Sequence, residues 1–160
     1  MNEARARAIS SNGLILRRAL PAVAPICAAI LQGWLDATPW LPKLHTLRQT
    51  ERFMAEILFP ANTVLVAETE GAVRGYLAVN EDGLVPSLTV ADGSRSRGIG
   101  SALIDEAKRL RPSGLSLWTF VANDGARRFY ARHSFREVRR TDGQNDEGLP
   151  DILLEWQPAS

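Results

Sequence analysis

The sequence predicts a single α+β domain, in which a mixed and mostly antiparallel sheet of about six or seven strands is flanked by about four helices. Length and composition are the first indication, since 160 residues with 45% hydrophobic and 23% charged side chains are usual for one globular domain. The second is an alternation of strand-like and helix-like periods along the chain. The third is a pair of tight turns, Glu70-Gly71 and Asp82-Gly83, which join three successive strands into an antiparallel meander.

Each element follows from a local pattern. Residues 1–12 are polar and lack a clear period, so they are predicted to form a flexible leader before a domain that spans 13–160. The segment 38–46, with two prolines and a tryptophan, is predicted to be an ordered loop. Helices are predicted at 22–36, 47–59, 98–110 and 124–133, and strands at 14–18, 63–69, 72–80, 84–90, 115–121, 135–140 and 152–156.

The run from Ala19 to Leu31 carries no charge, which makes it a candidate for a membrane span. It contains Pro21 and Pro25 and is shorter than the roughly 18 residues that indicate a spanning helix, so a buried first helix and no membrane partner are predicted. The single cysteine, Cys27, excludes an internal disulfide, and no Cys/His cluster has metal-ligand spacing. A reducing, cytoplasmic location and no metal site are therefore expected.

Charge is balanced over the whole chain but not along it. The 19 Lys and Arg against 18 Asp and Glu give a net charge of +1, which argues against nucleic acid as a partner. The segment 95–140 holds 11 basic and four acidic residues, a net charge of +7. This local excess predicts either a site for a small polyanion or a set of solvated helix faces.

The segment that joins the strand 84–90 to the next helix predicts an anion site. Residues 88–101 read LTVADGSRSRGIGS, and Gly98 and Gly100 allow a phosphate to approach the free amides of the first helical turn. A nucleotide-hydrolysing P-loop is excluded because Ile99-Gly100 stands where Lys and Ser or Thr are needed. A dinucleotide-binding turn is excluded because Leu103 replaces its third glycine.

The pattern that fits is Arg-x-x-Gly-x-Gly over Arg95, Gly98 and Gly100, followed by NDGARRFYARHSF at 123–135. Together these segments resemble the motifs of the GNAT superfamily of N-acetyltransferases, Gln/Arg-x-x-Gly-x-Gly/Ala and Asn-x-x-Ala-x-x-Phe-Tyr-x-x-x-Gly-Phe. The resemblance covers residues 84–138 by motif and the rest by strand order. Ser134 departs from the pattern, which has glycine at that position.

The resemblance implies acetyl-coenzyme A as the cosubstrate, no metal, and a fold whose fourth and fifth strands splay apart to admit the cosubstrate. In that family a strand backbone binds the pantetheine arm, helix amides bind the pyrophosphate, and an asparagine contacts the arm from the far wall. By position these roles fall on Leu88, Thr89 and Val90, on Arg95, Ser96, Arg97, Gly98, Ile99, Gly100 and Ser101, and on Asn123. A helix N-cap is the simpler role for the asparagine.

Tyr130 matches the family's proton donor to the departing coenzyme A thiolate. A phenol with a pKa of about 10 is protonated at neutral pH and suits a general acid, although a core tyrosine beside Phe129 is the alternative. The implied reaction is direct attack of a primary amine on the thioester in a ternary complex, without a covalent intermediate on Cys27. The alternative function is a non-catalytic acyl-coenzyme A-binding regulatory module, which the lack of an evident base would favour.

The amine must lose a proton, and the candidate bases are Glu68, Glu81, His45 or a water relay. The acceptor is expected beside the first two helices, where Trp34, Trp40 and His45 lie close in sequence and offer cation–π contacts. Packing of that loop on the core is the alternative. A small-molecule amine is expected rather than a protein, since nothing indicates a long peptide groove. Dimers are common in the family that the chain resembles, so a homodimer is also within expectation.

Overall fold

The computed structural model describes residues 6–9, 13–94 and 98–159, which form eight strands and four helical segments. The strands are β1 Ala6–Ile9, β2 Ile15–Arg18, β3 Thr63–Thr69, β4 Ala72–Val79, β5 Ser87–Val90, β6 Leu115–Phe120, β7 Arg136–Thr141 and β8 Asp151–Trp156. The helices are α1 Ala24–Ala37, after a 3-10 turn at Pro21–Val23; α2 Leu47–Phe53, which continues through a π-helical turn at Met54–Leu58 into α3 Phe59–Ala61; α4 Ile99–Leu110; and α5 Asp124–Arg132. None of the helices in these residues is long and apolar enough to cross a membrane.

The strands form two antiparallel sheets that a parallel bridge joins. β1 to β5 lie in chain order in one sheet, and β6, β8 and β7 form the other. At the bridge between Leu84 and Ser116, Val85 N donates to the Ser116 carbonyl at 2.8 Å and Ser116 N to the Gly83 carbonyl at 2.9 Å. Beyond it β5 pairs with β4 and β6 with β8, so the fourth and fifth predicted strands splay apart. The predicted α+β class with a mostly antiparallel sheet is confirmed.

The strand β1 lies inside the segment that the sequence predicts as a flexible leader, residues 1–12. Ala6–Ile9 instead pairs antiparallel with β2, Ala8 opposite Leu16 and Ile9 opposite Ile15. An edge strand can extend a sheet through its backbone groups alone. It therefore does not require the alternation of apolar and polar residues by which a strand is predicted from sequence. The other residues of the predicted leader lie outside the described residues.

The five-stranded sheet has a hydrophobic core on each face. Because side chains alternate along a strand, Val64 of β3 and Tyr76 of β4 face α1, whereas Leu65 and Leu77 face α4. The core on the α1 face also contains Cys27, Ala28, Met54 and Leu58, and the core on the α4 face contains Leu103, Ile104 and Ala107. α1 and α4 therefore cover opposite faces of the sheet.

Polar groups connect α1 to the loop that follows it. The Gln32 side-chain amide donates to Asp36 Oδ1 and to the His45 carbonyl, each at 3.0 Å, and its oxygen accepts from Thr50 Oγ1 at 2.6 Å. Lys43 Nζ donates to three carbonyl oxygens at the end of α1. Gln32 and Thr50 are both buried, so these bonds satisfy groups that have no access to water and hold the loop against α1.

The turn after α5 is left-handed although it lacks glycine. Ser134 has a φ of 70°, and Phe135 N donates to the Tyr130 carbonyl at 3.0 Å. A left-handed conformation costs a residue other than glycine about 1 kcal/mol. Ser134 therefore bears a strain that glycine would avoid, while the turn keeps its geometry.

Candidate active site

A cavity of about 640 Å³ opens where β5 and β6 separate. It reaches both faces of the sheet, since residues of α4 and α5 line one side and residues of α1 line the other. The α4–α5 side is lined by Gly98, Ile99, Gly100, Ser101, Asn123, Arg128, Phe129, Tyr130 and Arg132, and the α1 side by Leu31, Trp34, Ser87, Thr89, Trp118 and Phe120. Leu88 and Val90 of β5 also line the cavity.

The N-terminus of α4 forms one wall of the α4–α5 side. Gly98 precedes the helix with a φ of 78°, and its carbonyl accepts from Ala102 N at 3.0 Å. The amides of residues 99–101 come before this first helical bond and have no acceptor within the helix. A Cβ built on Gly100 would lie 3.2 Å from two ring atoms of Phe129, so only glycine fits without displacing the ring. The wall offers backbone N–H groups at close range, which suits a phosphate.

Two arginines add positive charge to this side. Arg128 and Arg132 of α5 are exposed and line the cavity, and the guanidinium of Arg132 lies 6.0 Å from the centre of the Phe129 ring. Neither arginine is among the site residues predicted from the sequence, although their spacing of four residues places them on one helix face. The predicted loop residues Arg95, Ser96 and Arg97 lie outside the described residues.

β5 separates the two sides of the cavity. It pairs antiparallel with β4, Ala78 opposite Ser87 and Tyr76 opposite Thr89. Leu88 and Val90 pack against the α4-face core, so Ser87 and Thr89 project to the α1 face. In the described residues β5 pairs with no strand but β4, which leaves its other backbone edge to face the cavity.

Tyr130 reaches the cavity from α5. Its ring packs edge-on against Phe129 and Phe135, with centroids 5.1 and 5.4 Å away. Burial raises the pKa of Tyr130 above the ordinary value of a phenol, so the hydroxyl keeps its proton at neutral pH. Among the described residues this hydroxyl has no hydrogen-bond partner, which leaves it available to a ligand in the cavity.

Ser101, which lines the cavity, is held by a chain of polar contacts through His133 to Asp105. Ser101 Oγ lies 2.9 Å from His133 Nε2, and His133 Nδ1 lies 3.8 Å from Asp105 Oδ1. Burial lowers the pKa of His133; Asp105 opposes this shift, and Lys108 and Arg132 add to it. The imidazole is therefore neutral at pH 7. Sequence alone does not indicate a role for His133, because the contact spans 32 residues and joins two helices.

Asn123 caps α5 and also lines the cavity. Its side-chain oxygen accepts from Ala126 N at 3.1 Å. The N-cap that the residue type predicts is therefore present. The side-chain NH2 remains as the group that Asn123 offers to a ligand.

Three hydroxyl groups meet on the α1 side. Tyr76 Oη lies 2.5 Å from Ser87 Oγ, and Thr89 Oγ1 donates to Tyr76 Oη at 3.2 Å. Tyr76 is fully buried, and burial raises its pKa to about 12. The sequence does not connect Tyr76 with the other two, since it lies 11 and 13 residues away and joins them only through the pairing of β4 with β5.

Aromatic side chains form the rest of the α1 side. Trp40 packs edge-on against Trp34 and Phe120, with ring centroids 6.3 and 5.7 Å away. Trp34, Phe120 and the half-exposed Trp118 line the cavity, whereas Trp40 lies behind them. The structure thus brings together the two tryptophans that the sequence singled out. His45, predicted with them, is not among the described lining residues.

The three candidate bases do not line this cavity either. Glu68 of β3 forms an ion pair with Arg17 at 2.8 Å, and Glu81 borders a separate groove at the turn after β4. The backbone carbonyl of His45 accepts a hydrogen bond from the Gln32 side chain. Cys27 is fully buried, and burial raises its pKa to about 12, which makes it a poor nucleophile. No group of three or more His, Cys, Asp or Glu side chains in the described residues is arranged to hold a metal ion.

The amino-acid sequence is similar to those of known acetyltransferases. Residues 60–137 match the acetyltransferase (GNAT) domain. Over 131 residues the chain is 27% identical to the peptidyl-lysine N-acetyltransferase YiaC of Escherichia coli (strain K12), and the match covers 80% of this chain and 88% of that protein.

Solved structures share the fold. The solution structure of apo-form YjaB from Escherichia coli matches with a TM-score of 0.74 at 21% identity, over 91% of this chain and 99% of that one. The ribosomal-protein-alanine N-acetyltransferase from Brucella melitensis matches with a TM-score of 0.69 at 23% identity, over 89% and 99% of the two chains. At these identities the likeness is one of architecture.

Proposed function

We propose that this chain, which belongs to the GNAT superfamily of N-acetyltransferases, transfers an acetyl group from acetyl-coenzyme A to a primary amine in a ternary complex. The observation that carries the proposal is a cavity that opens to both faces of the sheet and has in its lining Tyr130, whose hydroxyl has no hydrogen-bond partner in the part of the chain that the structure describes. A donor on one face and an acceptor on the other would meet between β5 and β6. Direct transfer then needs no covalent enzyme intermediate.

The α4–α5 side suits the coenzyme. The free amides at the start of α4, the close approach at Gly100 and the arginines of α5 favour a pyrophosphate. The open edge of β5 from Leu88 to Val90 would bind the amides of the pantetheine arm as an added strand binds, with Asn123 on the far wall. Arg95, Ser96 and Arg97 belong to the same loop in sequence and complete the proposed coenzyme site.

Tyr130 is the proposed general acid. As the amine nitrogen bonds to the acetyl carbon, the C–S bond breaks and negative charge collects on sulfur. A thiol has a pKa near 8.5, so a hydrogen bond from the protonated phenol is enough to stabilise the thiolate at neutral pH. A backbone amide near Val90 is the proposed donor to the carbonyl oxygen, which becomes negative in the same step.

The acceptor is proposed to be a small-molecule amine. The names of the two relatives specify peptidyl lysine in one case and an alanine of a ribosomal protein in the other, so membership of the family does not fix the acceptor. The compact aromatic lining of the α1 side supports a small acceptor.

The test is thiol release from acetyl-coenzyme A with a panel of amines, for the wild type and for Tyr130→Phe. We expect amine-dependent release that falls at least tenfold in kcat in the variant, because the donor to sulfur is lost. Coenzyme A affinity, measured by calorimetry, is expected to stay within threefold. Equal turnover by the variant would refute the acid role. Tight coenzyme binding without turnover of any amine would instead indicate a regulatory binding module.

A further inference from the structure

The α1 side of the cavity provides a rigid apolar surface. Trp34 and Phe120 are both held by edge contacts to Trp40, and Leu31 and Trp118 extend the surface. Side chains locked by packing in this way discriminate by shape, because they cannot move aside for a mismatched group. An acceptor that fills this surface needs a flat or branched apolar group beside its amine.

The side-chain hydrogen-bond acceptors on the same side are hydroxyls, since the indoles of Trp34 and Trp118 only donate. Ser87 and Thr89 line the cavity, and both bond to the buried Tyr76 at 2.5 and 3.2 Å. The described lining residues include no Asp, Glu or His. A hydroxyl accepts a hydrogen bond from an amine N–H and can relay a proton to water, but it is too weak a base to take the amine's proton itself, as a carboxylate or imidazole can.

Such a site favours an amine that is already neutral in solution. An α-amine has a pKa near 7.8, so about a third of it is neutral at pH 7.5, whereas a lysine side chain is neutral in roughly one molecule per thousand. Without a basic side chain at the site, the rate is proportional to the fraction of the amine that is neutral. The rate with an α-amine should therefore exceed the rate with a lysine side chain by a factor of at least about 100.

We propose that the acceptor is a small α-amino amide or a similar weakly basic amine with an aromatic or branched aliphatic side chain. This inference rests on the proposed function and names the substrate class of the same site. Ser87 and Thr89 accept the two N–H groups of the neutral amine and direct its lone pair at the acetyl carbon. The N–C bond forms, the C–S bond breaks, and the nitrogen's surplus proton passes by way of these hydroxyls to water.

Four small amines test the proposal: phenylalaninamide, leucinamide, glycinamide and Nα-acetyl-lysinamide. With saturating acetyl-coenzyme A at pH 7.5, we expect kcat/KM for the first two to exceed that of glycinamide at least tenfold and that of the lysine derivative at least 100-fold. The rate with the α-amines is expected to level off above about pH 9, where nearly all of the amine is neutral, and the rate with the lysine derivative to keep rising. Preference for the lysine derivative or for glycinamide would overturn the inference and leave the acetyl transfer intact, whereas no release with any amine would overturn both.

Variants separate the two parts of the surface. Trp34→Ala is expected to raise KM for phenylalaninamide at least tenfold while KM for glycinamide stays within threefold, and Trp34→Phe is expected to restore most of the difference. Thr89→Val is expected to lower kcat at least fivefold for both amides with little change in KM. Phe53→Ala, which truncates an aromatic residue 39% exposed on α2, serves as the matched control. An equal rise in KM for phenylalaninamide and glycinamide in Trp34→Ala would refute the proposal that Trp34 recognises the side chain of the acceptor.

Discussion

The two sides of the cavity are built in different ways. The α4–α5 side is formed by residues within 98–132 together with the edge of β5, and it depends on backbone: free amides, a glycine packed on Phe129, and that strand edge. The α1 side depends on side chains from distant segments of the chain, with Trp34 from α1, Ser87 and Thr89 from β5, and Phe120 from β6. One side is fixed by local geometry and the other by tertiary packing.

This difference determines how well each side tolerates substitution. A site that binds a pyrophosphate through amides needs small residues at fixed positions, since even a Cβ at Gly100 would lie 3.2 Å from the Phe129 ring and a larger side chain would have to displace it. A wall of side chains needs only a complementary surface, so its residues can change without disturbing the opposite side. A change on one side should therefore alter one substrate and spare the other.

The largest expected effect breaks the α4–α5 side alone. In Gly100→Val the added methyl groups meet Phe129, whose ring atoms lie 3.2 Å from the position a Cβ would take, and narrow the approach to the α4 amides. We expect coenzyme A affinity to fall at least 100-fold, as measured by calorimetry. Gly33→Ala is the matched control, because a Cβ at Gly33 of α1 meets nothing within 4 Å. An affinity within threefold of wild type for Gly100→Val would contradict the close-approach argument.

An intermediate effect tests the charge on that side. Replacing both Arg128 and Arg132 with Gln removes two cationic groups from the cavity. We expect the Kd for coenzyme A to rise about tenfold at low ionic strength and the difference to shrink in high salt, because exposed charges are screened. Affinity for pantetheine, which lacks the phosphates, and KM for phenylalaninamide should not change.

The matched control for the arginine pair is Arg48→Gln with Arg52→Gln. Both residues are exposed on α2 and neither is among the described lining residues. If this pair weakened coenzyme A binding as much as the cavity pair does, the effect would be one of net charge rather than of the site.

The smallest expected effect concerns the support behind Ser101. The pKa of His133 is lower in the folded chain than in the unfolded chain, chiefly because of burial, so the unfolded chain binds more protons near pH 6. This contribution to stability is present above about pH 6.5, the unfolded pKa, and is lost as the pH falls below that value and through the lower folded pKa. We expect the urea midpoint of the wild type to drop further between pH 8 and pH 5.5 than that of His133→Gln. Equal drops would contradict the assignment, since both proteins keep the other histidine, His45.

The local geometry of the α4–α5 side could be predicted from the sequence because it depends on neighbouring residues, whereas the roles of its residues stay predictions. Gly98, Gly100 and Asn123 occupy a helix start, a close contact and an N-cap, and each of these geometries favours its residue type. The order of seven strands follows from period-2 patterns and turns. The strand at Ala6–Ile9 could not be predicted in this way, because it extends the sheet through backbone hydrogen bonds, which do not require an alternation of apolar and polar residues.

The α1 side could be predicted only in part. Trp34 and Trp40 stand six residues apart and suggest a cluster, but Phe120, which completes it, joins them through tertiary packing. Tyr76 is found only once the register of β4 against β5 is known. Glu68, Glu81 and His45 are predicted as bases because sequence distinguishes titratable residues from inert ones, but it does not tell which of them line a cavity.

The bridge between Leu84 and Ser116 is the point at which the two sheets are joined. Phe120 lies four positions after Ser116 in β6, a distance of about 13 Å at the usual rise of a strand. A difference of about 5° in the angle between the two sheets at that bridge would therefore shift Phe120 by roughly 1 Å. The width of the gap between β5 and β6 at Phe120 thus depends on how the two sheets are joined, and Leu84 and Ser116, which make that join, are not among the described lining residues.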